Sequence, residues 1–158
     1  MGIYIKFDGI DGNCKKKGHE KWIECGSMNW GAGRASNIMF GDGGAAGTAS
    51  FSEISVNCVG AGSSLLLLHF LTTGEHFGEV VIDSTKSTGG MTEEIYSQIT
   101  LTEAMITGFS QNMDPNSIND NVSIAFKKYK HEVWEQDDKG ALKSAGDHGY
   151  DVSLNEAV

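Results

Sequence analysis

The sequence predicts a mainly β chain, a barrel or sandwich with one short α-helix packed outside it. Three observations carry that expectation. Apolar residues recur at every second position in short runs along most of the chain, which is the spacing of a strand with one buried face. Only one run, Leu65–Thr73, has convincing helical spacing. Twenty-one glycines and a single proline punctuate the runs, as sheet proteins with many turns require. The 158 residues fit one domain, 1–158, with a sizeable core.

The first strand is Ile3–Phe7, with Ile3, Ile5 and Phe7 opposite Tyr4 and Lys6. Gly9, Gly12 and Asn13 make Asp8–Lys17 a loop. The next strand, Trp22–Trp30, sets Trp22, Met28 and Trp30 on one face and Cys25, Ser27 and Asn29 on the other. The three large side chains are expected in the core. From Arg34 to Thr48 the chain is polar and rich in glycine, with apolar relief only at Ile38, Met39 and Phe40. An excursion of that length is usually functional or disordered. Phe51–Cys58 then returns as a strand with Ile54, Val56 and Cys58 on one side.

Ser63 or Ser64 caps the helix, and Gly74 ends it in the left-handed conformation. Leu65, Leu68 and Leu71 or Thr72 are expected as its buried stripe. Phe77–Asp83 is a strand that leads into a turn at Ser87–Gly90. Ile95–Phe109 reads as a long strand whose phase changes near Glu103 and Ala104, which a bulge would explain. Pro115 lies in a loop over Asn112–Asn121. Val122, Ile124 and Phe126 alternate, and Tyr129 and Val133 continue on the opposite parity. Asp137–Gly149 reads as a polar loop and Tyr150–Leu154 as a closing strand.

Composition excludes several classes of function. The net charge is −9, and two small basic clusters, Lys15–Lys17 with Lys21 and Lys127, Lys128 and Lys130, do not make a phosphate-binding surface. No nucleic acid partner is expected. The longest apolar block is Leu65–Leu68, resumed at Phe70 and Leu71, far short of the roughly 18 residues that span a bilayer. No membrane insertion and no signal peptide are expected, and Lys6 stands where a myristoylation motif wants Ser or Thr. Cys14, Cys25 and Cys58 form no C-x-x-C pair, so neither a disulfide framework nor a zinc ribbon follows. Cys25 and Cys58 read as small strand hydrophobes, and Cys14 as an exposed loop thiol.

Chemistry-bearing motifs are equally sparse. Gly60-Ala61-Gly62 follows a strand and opens the helix, but Leu65 stands where the dinucleotide fingerprint needs its third glycine. There is no G-x-S-x-G elbow. His19, His69, His76, His131 and His148 are scattered, and the pairs Glu93-Glu94 and Asp137-Asp138 point apart on an extended chain. No catalytic residue, metal or cofactor is expected. Two readings of the residues stay open. One is a structural subunit whose long strands are covered by regular oligomerisation. The other is a small β-barrel ligand-binding module or enzyme with an unidentified substrate.

A family resemblance bears on that choice. Ile5-Lys6-Phe7-Asp8-Gly9-Ile10-Asp11-Gly12, then Lys17–Glu24 and Asn29-Trp30-Gly31, resemble the opening of the haemolysin-coregulated protein (Hcp) family, the tube proteins of type VI secretion systems. The likeness continues through Ser64–Leu67 with Thr73-Gly74-Glu75-His76, Asn121–Phe126, and Gly149–Val152 with Asn155. It therefore runs in order through nearly the whole chain. No single motif is very specific; their succession is.

The resemblance implies a β-barrel of two sheets with the helix at its side. It implies a non-enzymatic subunit that forms hexameric rings stacked into a hollow tube. The partners would be itself, the contractile sheath and the spike, with small effector proteins held in the lumen. The protein would be cytoplasmic before firing and then exported to the medium or a target cell, with no toxin domain beyond Val158. Residues 37–47, namely Asn37, Ile38, Met39, Phe40, Gly41, Asp42, Gly43, Gly44 and Gly47 with the residues among them, resemble the family's loop to the adjacent ring. Asn29, with Ser27 beside it, resembles a lumen-facing position. Asp83 departs from the pattern, standing where many members carry Arg.

Overall fold

The computed structural model describes residues 2–36, 46–87 and 93–158. In chain order the strands are β1 (Gly2–Phe7), β2 (Ile23–Asn29), β3 (Ala32–Ser36), β4 (Ala46–Phe51) and β5 (Ile54–Val59). The helix α1 (Ser63–Thr73) follows, and then β6 (Phe77–Ser87), β7 (Glu93–Met113), β8 (Ile118–Gln136), β9 (Leu142–Asp151) and β10 (Glu156–Ala157). The large sheet runs β10-β9-β8-β5-β2-β1-β6-β7, and β7 pairs back onto β8. That last pairing closes β8-β5-β2-β1-β6-β7 into a six-stranded antiparallel barrel. β3 and β4 form a separate two-stranded sheet. The expected barrel with one helix at its side is the fold observed.

Alternation fills the barrel. Ile5 and Phe7 of β1, Val80 and Ile82 of β6, Ile99 and Leu101 of β7, and Ile124 of β8 are fully or almost fully buried. Phe7 meets Phe77 at 5.0 Å between ring centroids, and Phe70 of the helix stacks on Phe77 at 4.4 Å. The interior is a packed core, of the kind that small barrels build from inward side chains.

Several expectations are corrected by local geometry. β2 begins at Ile23, and its pairing with β5 slips between Cys25 and Ser27, so Gly26 is an extra residue. A bulge of this kind reverses the inward parity. Ile23 and Cys25 face the core on odd positions, whereas Met28 and Trp30 pack against it on even ones. Trp22 is therefore not on the face of Met28 and Trp30; it lies half-buried, edge-on to His19 at 4.7 Å. Cys14 is buried rather than exposed, because its loop folds back: the Cys14 and Gly12 amides donate to the carbonyls of Trp22 and Lys21.

The helix turns a different stripe inward. Leu65 is 74% exposed and Leu68 41%, while Leu67 is fully buried. Ser63, Ser64, Leu67, Phe70 and Leu71 make the inner face, still at helical spacing. Four successive leucines leave the phase undetermined, and the buried Asp120 carboxylate settles it by accepting the Ser64 hydroxyl's hydrogen bond. Gly74 does close the helix at φ 71°, its amide donating to the Phe70 carbonyl.

The phase change in β7 is present, but its cause is Glu103, a non-glycine residue at φ 50°. The extra residues lie elsewhere, at Tyr96 against β6 and at Thr107 against β8. The supposed loop before β8 shrinks to a tight turn, in which Asp114 accepts from the Asn116 and Ser117 amides. The polar segment after Asp137 is mostly strand: β9 pairs with β8 from Leu142 to Asp151. Its side chains from Lys143 to His148 are all exposed, so it shows no apolar alternation and its register comes from the ladder. Val152–Leu154 is a turn, held by Asp151 accepting from the Ser153 and Leu154 amides.

Candidate functional site

The bulge in β2 has a consequence on the outside of the barrel. With Met28, Val56, Val122 and Phe109 aligned as one rung toward the core, the flanking residues of β2, β5, β8 and β7 point outward. Ser27, Asn57, Asn121 and Ser110 form one outer rung. Asn29, Ser55, Ser123 and Gly108 form the next. Ser27, Asn29, Ser55, Ser110 and Asn121 are exposed, and Asn57 donates to Asn121 Oδ1 at 2.8 Å. All eight positions are uncharged, and all are small or amide side chains. Such a surface holds water without strong fields and without an apolar patch.

The excursion between β3 and β4 springs from an aromatic base beside this face. Residues 37–45, which include most of the expected ring-to-ring loop, lie outside the described residues; Gly47 belongs to β4. Gly31 and Ser52 clasp the base: the Gly31 amide donates to Ser52 Oγ and the Ser52 amide to the Gly31 carbonyl, both at 2.8 Å. Trp30 stands edge-on to Tyr129 at 5.1 Å, and Phe51 packs on Tyr129 and Tyr150 at 5.2 Å each. Large rings at both ends of a polar excursion fix where it leaves the barrel.

Buried polar groups serve the fold rather than a reaction. His19 Nε2 meets Asp83 Oδ2 at 2.8 Å, and Gln98 donates to Asp83 Oδ1 at 2.8 Å. His19 also stacks on Tyr4 at 4.6 Å. Both carboxylate oxygens are thus engaged, and the pair pins the loop between β1 and β2 to the barrel wall. This accounts for Asp83, whose side chain is buried rather than presented as a surface charge. Asp120 is held likewise between Ser64 and Gln111. Ser97 Oγ and His131 Nε2 are 2.9 Å apart, and burial pushes the His131 imidazole below its ordinary pKa. Among the described residues no cluster of three His, Cys, Asp or Glu is placed to hold a metal ion.

Sequence reasoning missed the two buried aspartates. The apolar neighbours Val122 and Ile124 share the parity of Asp120, and Ile82 adjoins Asp83 in an apolar run. An acid in such a position signals a buried partner. A second missed feature is that Cys25 and Cys58 are direct cross-strand neighbours.

Comparison with known proteins gives a consistent result. A family model described as "Type VI secretion system effector, Hcp" matches residues 4–133. A solved structure described as a type six secretion system protein shares the fold at a TM-score of 0.90 and 22% identity, covering 99% of each chain. Hcp1 from Salmonella typhimurium superposes at 0.79 with 21% identity over 100% of both chains. Hcp1 from Flavobacterium johnsoniae does so at 0.62 with 13% identity, covering 91% of this chain and 99% of the other. A sequence comparison with curated proteins gives no match. No helix among the described residues is long and apolar enough to cross a membrane.

Proposed function

Because this chain belongs to the Hcp family, whose members are structural tube proteins rather than enzymes and are secreted components of type VI secretion, we propose that it is a ring-forming subunit of the inner tube. Six copies form a ring, rings stack through the excursion over residues 37–47, and the Ser27 and Asn29 rungs face the lumen. The sheath surrounds the tube, the spike caps it, and small effector proteins ride inside. The chain is made in the bacterial cytoplasm and leaves it on firing.

The observation that carries this reading is the uncharged outer face. A wall passing varied cargo must be wetted yet hold nothing strongly. Two rungs of Ser, Asn and Gly across four strands meet that need, on a chain whose net charge of −9 resides elsewhere. The ligand-binding alternative has less behind it, because Phe7, Phe77, Leu101 and Ile106 fill the space a barrel ligand would occupy.

The test is the solution mass of the purified chain by light scattering after size exclusion, with negative-stain images of the peak. The expected particle is a ring of six times the 16.9 kDa chain mass. Removing Gly41–Ala46 should leave that ring but abolish stacking and export. A stable monomer that neither closes nor stacks at high concentration sinks the ring reading. Normal polymerisation and export of the deletion variant would sink the loop assignment alone.

A further inference from the structure

Cys25 and Cys58 are directly opposite each other on β2 and β5, and their Sγ atoms are 3.3 Å apart. Opposed residues of an antiparallel pair have Cα atoms about 4.5–5.5 Å apart, inside the roughly 4.4–6.8 Å that disulfides span. The backbone is already placed for a bond; only the side chains need to turn. Cys58 is fully buried, whereas Cys25 is half-buried and lines a surface hollow of about 270 Å³ with Tyr4, Lys16 and Glu24. The hollow offers a small disulfide reagent a route to Cys25. The third thiol, Cys14, lies instead against Glu24 Oε1 at 3.8 Å.

We propose that Cys25 and Cys58 are an oxidation site, reduced in the cytoplasm and joined as an intrachain cross-strand disulfide where the thiol–disulfide poise is oxidising. The oxidant is a low-molecular-weight disulfide such as oxidised glutathione. Cys25, as thiolate, attacks one of its sulfurs to form a mixed disulfide and release one glutathione thiol. Cys58 then displaces the second glutathione. The two protein thiols give up two protons and two electrons, and the reagent's sulfur–sulfur bond takes them as two thiols. The bond ties β2 to β5 at the bulge, at the end of the pair away from the β3–β4 excursion. It closes a loop between residues 33 positions apart, which removes freedom from the unfolded chain.

The biological occasion rests on the export reading, since a secreted tube subunit passes from a reducing to an oxidising compartment. The chemistry does not. The hydrogen bond to Cys58, followed by burial, pushes the Cys25 thiol well above its ordinary pKa. Attack is therefore slow at neutral pH, and the reaction is followed over hours.

The experiment uses the full chain, first reduced, then incubated with oxidised glutathione without denaturant, alkylated in denaturant and digested with trypsin. Cleavage after Lys6, Lys15, Lys21, Arg34 and Lys86 places the three cysteines on separate peptides. The expected product joins peptides 22–34 and 35–86 with loss of two hydrogens, and leaves Cys14 alkylated. The oxidised chain should melt roughly 5–12 °C higher than the reduced one, and dithiothreitol should reverse the gain. Three alkylated thiols, a bridge through Cys14, a persistent glutathione adduct on Cys25, or an unchanged or lowered melting temperature would each overturn the proposal. Cys25→Ser should form no bridge; should that variant fail to fold, the oxidised and reduced native chains still decide. Ring mass is read separately, so failure of the tube reading and failure of the thiol chemistry are distinguishable.

Discussion

The phase of α1 is open to a direct test by two alanine substitutions. Leu67 is fully buried under α1 and belongs to the main core, whereas Leu65 is 74% exposed. Replacing a buried leucine by alanine removes its transfer free energy and leaves a cavity, together costing about 2–5 kcal/mol. For a chain of this size each kcal/mol lowers the melting temperature by about 2–4 °C. Leu67→Ala, at about 3 kcal/mol, should therefore melt roughly 6–12 °C below the native protein. Leu65→Ala loses little burial and gains the best helix former, so it should stay within about 0.5 kcal/mol. Thermal unfolding by circular dichroism, checked with urea midpoints, reads both. Equal losses, or a larger loss at Leu65, would refute the helix orientation and restore the stripe that the leucine run alone suggests.

Three further outcomes follow from the buried polar groups and the charge. Asp120→Ala strands the Ser64 hydroxyl and the Gln111 amide, and should cost about 1–3 kcal/mol; an unmoved urea midpoint would show that neither bond holds the helix. His131, whose pKa is lowered by burial, stays neutral in the fold after the unfolded chain has begun to take up a proton. Its contribution is thus complete above the ordinary histidine pKa of about 6.5 and declines as pH falls toward the lowered folded value; His131→Gln should flatten the melting profile between about pH 7 and 5, and a profile as steep as the native one would contradict this. Six chains at −9 each repel one another, so the proposed ring should be more populated at high ionic strength than at low. Analytical ultracentrifugation at two salt concentrations measures this, and an unchanged ring population would remove self-repulsion as a factor.

Fold class was legible because it depends on period-2 alternation, and alternation survives where one face of a strand is buried. Ile5 and Phe7, Val56 and Cys58, and Val122 and Ile124 read out directly and are all inward. Alternation fails where a residue breaks phase. Gly26 and Glu103 each reverse parity; the change at Glu103 shows in the apolar pattern of Ile95–Phe109, whereas Gly26 carries no signal that distinguishes a bulge from a plain strand residue. Trp22 was misplaced for that reason, being counted across a slip in register. β9 was invisible because Lys143–His148 bury nothing; a strand made by its neighbour's hydrogen bonds leaves no mark in its own composition. Leu65 and Leu68 failed differently, since four leucines in a row satisfy every helical phase and the deciding residue, Asp120, lies 56 positions from Ser64.

The outer face of the barrel shows why the site is harder to read than the fold. Ser27 and Asn29 stand out beside Trp30 as polar residues on a strand, but Ser55, Asn57, Ser110, Asn121 and Ser123 join them only through three separate registers. A cluster built of neutral residues from four strands has no spacing to recognise and no pKa to perturb. The role proposed for it, a wetted wall that binds nothing strongly, is one that sequence motifs do not encode. The same logic explains why Asp83 stands out in the sequence only as a departure from the family pattern. Taken alone it is an exposed acid; placed in the fold, it is a buried acceptor for His19 and Gln98. A buried carboxyl needs polar partners, and the loop between β1 and β2 brings His19 inward to meet it beside Gln98. Asp83 and His19 are therefore one structural feature, the contact that pins the loop between β1 and β2 to the barrel wall.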